Sequence, residues 1–591
     1  MVCRTLPPSV VRSSITPVTR LPQSDEHARP GCRRMGESLR CGRLPALLVP
    51  MRTLLAAFAL FFCGALAGAP KNLTIHGPAS LPANASGILH PALASFSIET
   101  AFFIEYLGNT SAPNTLTINL LENLKARTGV PAQIRIGGIT ADSTYWDASL
   151  EPAIFNFVGS TGTLFNTTIG PRFWDAARTL LPEGTQIIVN LDLHDFAYSG
   201  ALAVAESAVT GLSPGQLLSF EIGNEPDHYS PLLSAAAYTA VWEPWSKNIS
   251  QVLGFSTPMF QVGATAEDPL WPYGSATANA QLDCVSALKA GSDAAGTVQS
   301  CSEHTYQYSV CDPVRTAVAT LPNLVNHTRL AMYLDLWQPR IESVRAQLGP
   351  DAFTIGEYNS VSCSGKDGVS NTFGQALWLL DTTLYAASIN VSRLYIHQGG
   401  PLALQSATQL NHGGLSRYNL WYPEDAANGE KQVFPSYSAY LFVAEALGTS
   451  KTLRVSNIYP GRQSNGSTIT PAEGDVSAGQ SVVYGFWEES SHAFPTKLAL
   501  LNLQAFNQSE TGSRPTTVFD ISAYLPPKTK TVSVKRLQAP GADIKFGNLT
   551  TWAGQTFALD SDGLAQGKLR VDTIRGGKIE VEASGAALIT W

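Results

Sequence analysis

Between residues 93 and 399 the chain repeats one pattern: a short apolar run, then a stretch long enough for a helix. The runs are LASFSIE (93–99), AQIRIGG (132–138), TQIIVNLDL (185–193), LLSFEIGNE (217–225), MFQVGA (259–264), a weaker one before His304, FTIGEY (353–358) and RLYIHQG (393–399). Segments such as TINLLENLKARTG and PSYSAYLFVAEALG carry helical periodicity between or after them. Strands that alternate with helices build parallel βαβ units. Eight of them predict an α/β fold, a (β/α)8 TIM barrel with insertions, over residues 90–451. An open doubly wound sheet is the alternative. It would place a glycine-rich phosphate loop after the first strand, and LASFSIETAFF has none.

From residue 452 the texture changes. QSVVYGFWE, KLALLNLQAF, TVSVKRLQ, KIEVEA and AALITW alternate in polarity and are punctuated by Gly, Ser, Pro and Asn. They predict a C-terminal antiparallel β-sandwich over 452–591. The strand-like NLTIHGPA lies in a segment, 70–89, expected to join that sandwich before the chain enters the barrel.

In a parallel barrel, groups at the C-terminal ends of the strands share one mouth. Glu225 ends the fourth run, in FEIGNEPDHY, and Glu357 ends the seventh, in FTIGEYNS. Two carboxylates facing each other across a mouth suit glycoside cleavage: one protonates the leaving oxygen and the other attacks the anomeric carbon. Asn224 could hold a sugar's 2-hydroxyl through its amide. The plain alternative is that Asn-Glu-Pro-Asp only starts a helix, with proline at its first position.

The first 69 residues read differently. Residues 1–50 are rich in Arg, Pro and Ser without apolar period. They are read as an upstream extension of the coding sequence, with no fold. Residues 51–69, MRTLLAAFALFFCGALAGA, have the basic start, apolar run and small-residue end of a secretory signal. The run is shorter than the ~20 residues of a membrane span. This leader carries nine Arg and three acidic residues, so the chain's net charge of −7 leaves −13 beyond it. Such a balance disfavours nucleic acid and long polyanions as partners.

Four cysteines follow the leader: Cys284, Cys301, Cys311 and Cys363. In a secreted chain they suggest two disulfides, with three pairings open. Cys311 and Cys363 follow the sixth and seventh runs on the mouth side, so the expected pairs are Cys311–Cys363 and Cys284–Cys301. Without paired CxxC spacing, or ligand-spaced partners for His304 and His397, neither a metal nor a cofactor is expected. Asn72, Asn84, Asn109, Asn166, Asn248, Asn326, Asn390, Asn465, Asn507 and Asn548 head N-x-S/T sequons, as candidate glycosylation sites.

Asn224-Glu225-Pro226 and Ile355-Gly356-Glu357 resemble the barrel superfamily of retaining glycosidases. SFEIGNEPDHY, FTIGEYNSVSCSG, IRIGGITAD and the C-terminal β-domain together resemble glycoside hydrolase family 79, which holds β-glucuronidases and heparanase. The resemblance spans residues 70–591 and is nearest to the secreted fungal β-glucuronidases. It implies Glu225 as acid/base and Glu357 as nucleophile. It implies that Tyr306, in His-x-Tyr, bonds the nucleophile, that Tyr418 meets the uronate, and that Glu99 grips sugar hydroxyls. Asp142 could do likewise, or cap a helix. The loop after the nucleophile, with Ser364 and Gly365, is expected to offer backbone N–H groups to the substrate carboxylate. Arg135 is read as a barrel arginine near the nucleophile, or a buried ion pair only.

The reading is a secreted, retaining exo-β-glucuronidase that removes terminal glucuronic acid, 4-O-methylated or not, from glycans or glycoproteins. The alternatives are an endo-enzyme of heparanase type, a related retaining glycosidase for neutral sugars, and a non-catalytic carbohydrate-binding glycoprotein. The acidic balance disfavours the heparanase type, whose sulfated substrates call for a cationic cleft.

Overall fold

The computed structural model describes residues 71–159, 164–270, 274–400, 415–426, 428–461 and 480–591. The expected extension, the signal segment and Asn465 lie outside them. Eight parallel strands close into a barrel in sequential order. They are β1 (Ala94–Glu99), β2 (Ile134–Gly137), β3 (Ile187–Leu191), β4 (Leu217–Ile222), β5 (Phe260–Thr265), β6 (Val298–Ser309), β7 (Phe353–Ser362) and β8 (Arg393–Gln398). β8 pairs with β1, so no edge remains.

The weak sixth run is the longest strand. Its sequence, VQSCSEHTYQYS, is polar because several of its side chains serve the mouth rather than the core. β6 and β7 run on together beyond the barrel rim, pairing Tyr306 with Asn359, Tyr308 with Val361 and Ser309 with Ser362. Glu357 therefore sits inside β7 and not at its end. Just past this ribbon Cys311 and Cys363 form a disulfide, with Cα atoms 6.0 Å apart.

The expected Cys284–Cys301 pair is not formed, and both are buried thiols. Cys284 turns its Sγ onto the carbonyls of Val262 and Ser302, 3.4 Å from each. Burial pushes both thiols up, away from the thiolate that oxidation requires. The candidate acceptor Asn326 has little access to solvent. Its Oδ1 caps a helix by accepting from the Arg329 N–H.

The C-terminal strands form two sheets. The larger runs in the order Arg454–Tyr459, Ser481–Trp487, Lys497–Asn502, Gly585–Thr590, Thr531–Gln538 and Thr551–Trp552. The smaller holds Lys71–Thr74, Thr516–Asp520 and Lys578–Glu582, so the N-terminal strand pairs in parallel with Thr517–Asp520. One face of the large sheet packs Val483, Leu498, Leu500 and Ile589 against Phe519 and Ile579 of the small sheet. Its other face buries Val482, Tyr484, Leu501 and Leu588 in the barrel's own core. The helices Phe373–Ser388 and Tyr437–Leu447 are almost entirely buried, which accounts for their apolar character on every face.

Candidate active site

The chain leaves β4 through a tight turn. Gly223 (φ 85°) and Glu225 (φ 52°) both take the left-handed region. A Cβ on Gly223 would stand 2.9 Å from the Tyr229 hydroxyl, so the glycine of the GNEP stretch is needed for space as well as for φ. For Glu225 this conformation costs about 1 kcal/mol or more. Neighbouring bonds hold it: the Glu225 N–H donates to the Ala264 carbonyl at 2.8 Å, and Asp227 accepts from the N–H groups of Ala266 and Glu267. The strain aims Glu225 into the mouth.

Gly356 explains the other glutamate. In the β6–β7 register Glu303 pairs with Ile355 and His304 with Glu357, so Gly356 is an unpaired bulge residue. A Cβ there would lie 2.0 Å from Ser302 Oγ. The bulge turns Glu357 to the barrel axis, where Arg135 meets it.

Arg135 is fully buried. It donates to Glu357 at 2.9 Å, to Glu221 at 2.6 Å, to Ser97 Oγ at 3.0 Å and to Asn224 Oδ1 at 2.8 Å. It is thus both the arginine beside Glu357 and a buried ion pair with Glu221. Tyr306 donates to the other Glu357 oxygen at 2.7 Å. His304 Nδ1 lies 3.1 Å from Glu225 and 4.0 Å from Glu357, while His397 Nδ1 is 3.7 Å from Glu357. Burial works to raise the Glu357 pKa. The charges of His397, His304 and Arg135 and the Tyr306 hydrogen bond outweigh it and hold the carboxyl well below its usual range.

A carboxylate oxygen of Glu225 and one of Glu357 lie within 4.8 Å, with the His304 nitrogen as close to both. Retaining glycosidases place their carboxyls about 5–5.5 Å apart, and inverting ones about 6.5–9.5 Å. The three donor atoms could also hold a small cation.

Both glutamates line a cavity of about 140 Å³, with Glu99, Asn224, Tyr306, Tyr418, His397, Ser362 and Cys363 in its wall. Drug-sized ligands use pockets of about 300 Å³ and more, so this space suits one small ring. With its oxygen on Arg135, Asn224 has its amide N–H groups left for the pocket. Glu99 accepts from the Thr140 N–H at 2.6 Å and bonds His397 Nε2 at 3.0 Å. Gly138 (φ 95°) makes this approach possible, because a Cβ would sit 2.2 Å from Glu99 Oε2.

Two expected contacts fall elsewhere. Asp142 does not line this cavity. It stands behind it, accepting from the Tyr229 hydroxyl at 2.7 Å and from the Asn224 N–H at 3.2 Å. The Gly365 N–H is bonded to the Val361 carbonyl, and Ser364 is buried with Oγ on the Gly400 carbonyl. The pocket-lining part of that loop is Ser362 and Cys363; beyond them Ser364 and Gly365, both at positive φ, curl away.

Four contributors went unassigned in the sequence. His304 and His397 were visible as strand-end histidines, but their partners come from other strands. His228 lines the rim and lies 3.7 Å from Glu225. Its hydrogen bond to Glu267, joined by the charges of Glu225 and Asp227, outweighs burial and pushes it up to about 9. Arg315, four residues beyond Cys311, is the one Lys or Arg in the cavity wall among the described residues. It donates to the Tyr306 carbonyl and stands 3.9 Å from Asp268.

Residues 483–588 match the family model described as the glycosyl hydrolase family 79 C-terminal beta domain. A β-glucuronidase of Neurospora crassa is 29% identical over 523 residues, covering 80% of this chain and 85% of that protein. One from Aspergillus niger is 28% identical over 563 residues, covering 87% and 93%. These matches support glycoside hydrolase family 79. Among solved structures, the chain is similar to a 4-O-α-L-rhamnosyl-β-D-glucuronidase from Fusarium oxysporum 12S. The TM-score is 0.69 at 24% identity, over 88% of this chain and all of that one. A family 51 arabinofuranosidase from Xanthomonas axonopodis pv. citri gives 0.52 at 12% identity, over 88% and 99%. At these identities the likeness is one of fold: a barrel with a β-domain.

Proposed function

We propose that the chain is a retaining, exo-acting β-glucuronidase. The observation that carries this is the approach of Glu225 and Glu357 to within 4.8 Å in a one-ring cavity whose wall includes a guanidinium. Glu357, kept ionised, attacks the anomeric carbon. Glu225 gives its proton to the glycosidic oxygen, and the aglycone leaves as an alcohol. Glu225 then takes a proton from water, whose oxygen displaces Glu357 and releases the uronic acid with its configuration retained. The Asn224 amide holds the 2-hydroxyl, and Glu99 holds ring hydroxyls. Tyr306 keeps the nucleophile oriented.

Uronate selection falls to Arg315, the Tyr418 hydroxyl and the Ser362–Cys363 backbone. A carboxylate placed near Arg315 gains a charge-assisted bond that a neutral hydroxymethyl group lacks. The two β-glucuronidase relatives favour the same sugar. The Cys311–Cys363 disulfide and the exposed sequons at Asn72, Asn84, Asn109, Asn248 and Asn548 support a secreted protein. No helix among the described residues is long and apolar enough to cross a membrane.

Paired aryl β-glucuronide and aryl β-glucoside assays test the reading. It expects turnover of the first with at most a trace on the second, and equal rates would refute it. Arg315→Gln is expected to raise KM for the glucuronide about tenfold or more, with a smaller change in kcat, as loss of a charged hydrogen bond would.

A further inference from the structure

A second cavity, of about 400 Å³, adjoins the first and shares Ile139, Asn224, Glu225 and His228 with it. It reaches Glu225 but not Glu357. The acid must face the glycosidic oxygen, which joins the sugar in the first cavity to whatever leaves. Space on the far side of Glu225 is therefore space for the leaving group.

Its outer wall belongs to an insertion between β2 and β3, a small sheet of Thr144–Trp146, Ile154–Val158 and Leu164–Ile169. Phe165 is aimed into the cavity by a local irregularity. Phe157 pairs with Asn166 and Val158 with Leu164, so Phe165 is skipped as a bulge residue. The ring needs Gly159, where a Cβ would lie 2.5 Å from it, and it stays 52% exposed although Phe157 stands 5.8 Å away. Opposite are Tyr145, whose hydroxyl donates to Asp195 at 2.5 Å, and His194, edge-on to Tyr229. Among the described residues the lining holds no Lys or Arg; the cationic His228 in it is already bonded to Glu267 at 3.0 Å, and Asp195 leaves the wall acidic. An aromatic face beside acidic and neutral hydrogen-bonding groups suits an uncharged sugar and repels a sulfated or carboxylated one.

Resting on the β-glucuronidase reading, we infer that this cavity is the leaving-group subsite and takes a neutral sugar residue stacked on Phe165. Asn166, a sequon asparagine, also lines it, so a glycan there would compete with the aglycone for the same space.

The test compares wild type with Phe165→Ala and Phe165→Tyr on three substrates. These are a β-glucuronosyl hexose disaccharide, the same disaccharide sulfated on the hexose, and β-glucuronyl fluoride, whose leaving group is too small to reach the cavity. If wild type fails on the fluoride, the β-glucuronidase reading itself falls. With the fluoride turned over, the inference expects Phe165→Ala to lose about tenfold in kcat/KM on the neutral disaccharide, to keep its rate on the fluoride, and Phe165→Tyr to recover most of the loss. Wild type should prefer the neutral disaccharide to the sulfated one. An unchanged disaccharide rate, an equal loss on both substrates, a preference for the sulfated form, or a glycan mapped to Asn166 would each overturn it.

Discussion

At the scale of single residues, the site works by giving two like groups unlike surroundings. Glu357 has Arg135, Tyr306 and two histidines, whereas Glu225 is nearer solvent, with His304 and His228 beside it. Glu357→Gln is expected to lower kcat at least about 10⁴-fold while the melting curve stays cooperative, because the proposed mechanism has no substitute for this nucleophile. Glu225→Ala should slow poor leaving groups about 10²–10⁴-fold and activated aryl leaving groups far less, since only the former need protonation. The pH dependence follows from the lowered Glu357 pKa. Its charge, and the stability it contributes, are present above the ordinary glutamate range and are lost as pH falls through the lower folded value. The acid limb of kcat/KM should therefore lie below about 4.3, the unperturbed glutamate value. Arg135→Lys, which gives up the multidentate fork, should move that limb upward, and an unmoved limb would deny Arg135 this role.

At the scale of elements, what positions these side chains is glycine and bulge rather than loop length. Gly356, Gly138 and Gly223 each stand where a Cβ would strike a site residue or its support. Gly138→Ala, with both φ of 95° and a Cβ 2.2 Å from Glu99, is expected to displace Glu99 and raise KM, with melting temperature falling at the same time. The disulfide Cys311–Cys363 closes 52 residues and staples the β6–β7 ribbon. Chain-entropy reasoning assigns such a loop about 4 kcal/mol. Reduction should therefore lower thermal stability and raise KM together, which differential scanning calorimetry and kinetics would detect. The apolar runs made seven strands legible, as well as the two glutamates at the mouth. The sixth strand was faint because it carries His304 and Tyr306 among other polar side chains. Arg315 was not legible, since its helix, Pro313–Val318, buries nothing and has no periodicity to read. Ser364 and Gly365 misled because a Ser/Gly loop signals backbone freedom without saying which N–H groups are already bonded.

At the scale of the whole molecule, barrel and sandwich belong to one compact unit. The large sheet is buried on both faces, and its closing strand Gly585–Thr590 lies between Lys497–Asn502 and Thr531–Gln538. A chain ending at residue 584 is expected to be insoluble, barrel included. Recovery of a soluble barrel with native circular dichroism would contradict that. Between barrel and sheet, Asp381 accepts from Tyr484 at 2.5 Å and bonds His327 at 2.9 Å, all buried. Asp381→Ala should cost about 1–3 kcal/mol or more by stranding both partners, without changing KM. This interlock was only partly legible. The segments alternating in polarity announced a sandwich, but their pattern did not tell that Ser481–Trp487 and Lys497–Asn502 would be buried on both faces, one of them against the barrel. The proposed function rests on the smallest part of this assembly, the pairing of two carboxylates across the mouth. Its most direct measurement is mass mapping after reaction with 2-deoxy-2-fluoro-β-glucuronyl fluoride, which traps the glycosyl-enzyme. The label is expected on Glu357, in wild type and in Glu225→Ala alike. A label on another residue, or prompt turnover with inverted product and no covalent species, would contradict the account.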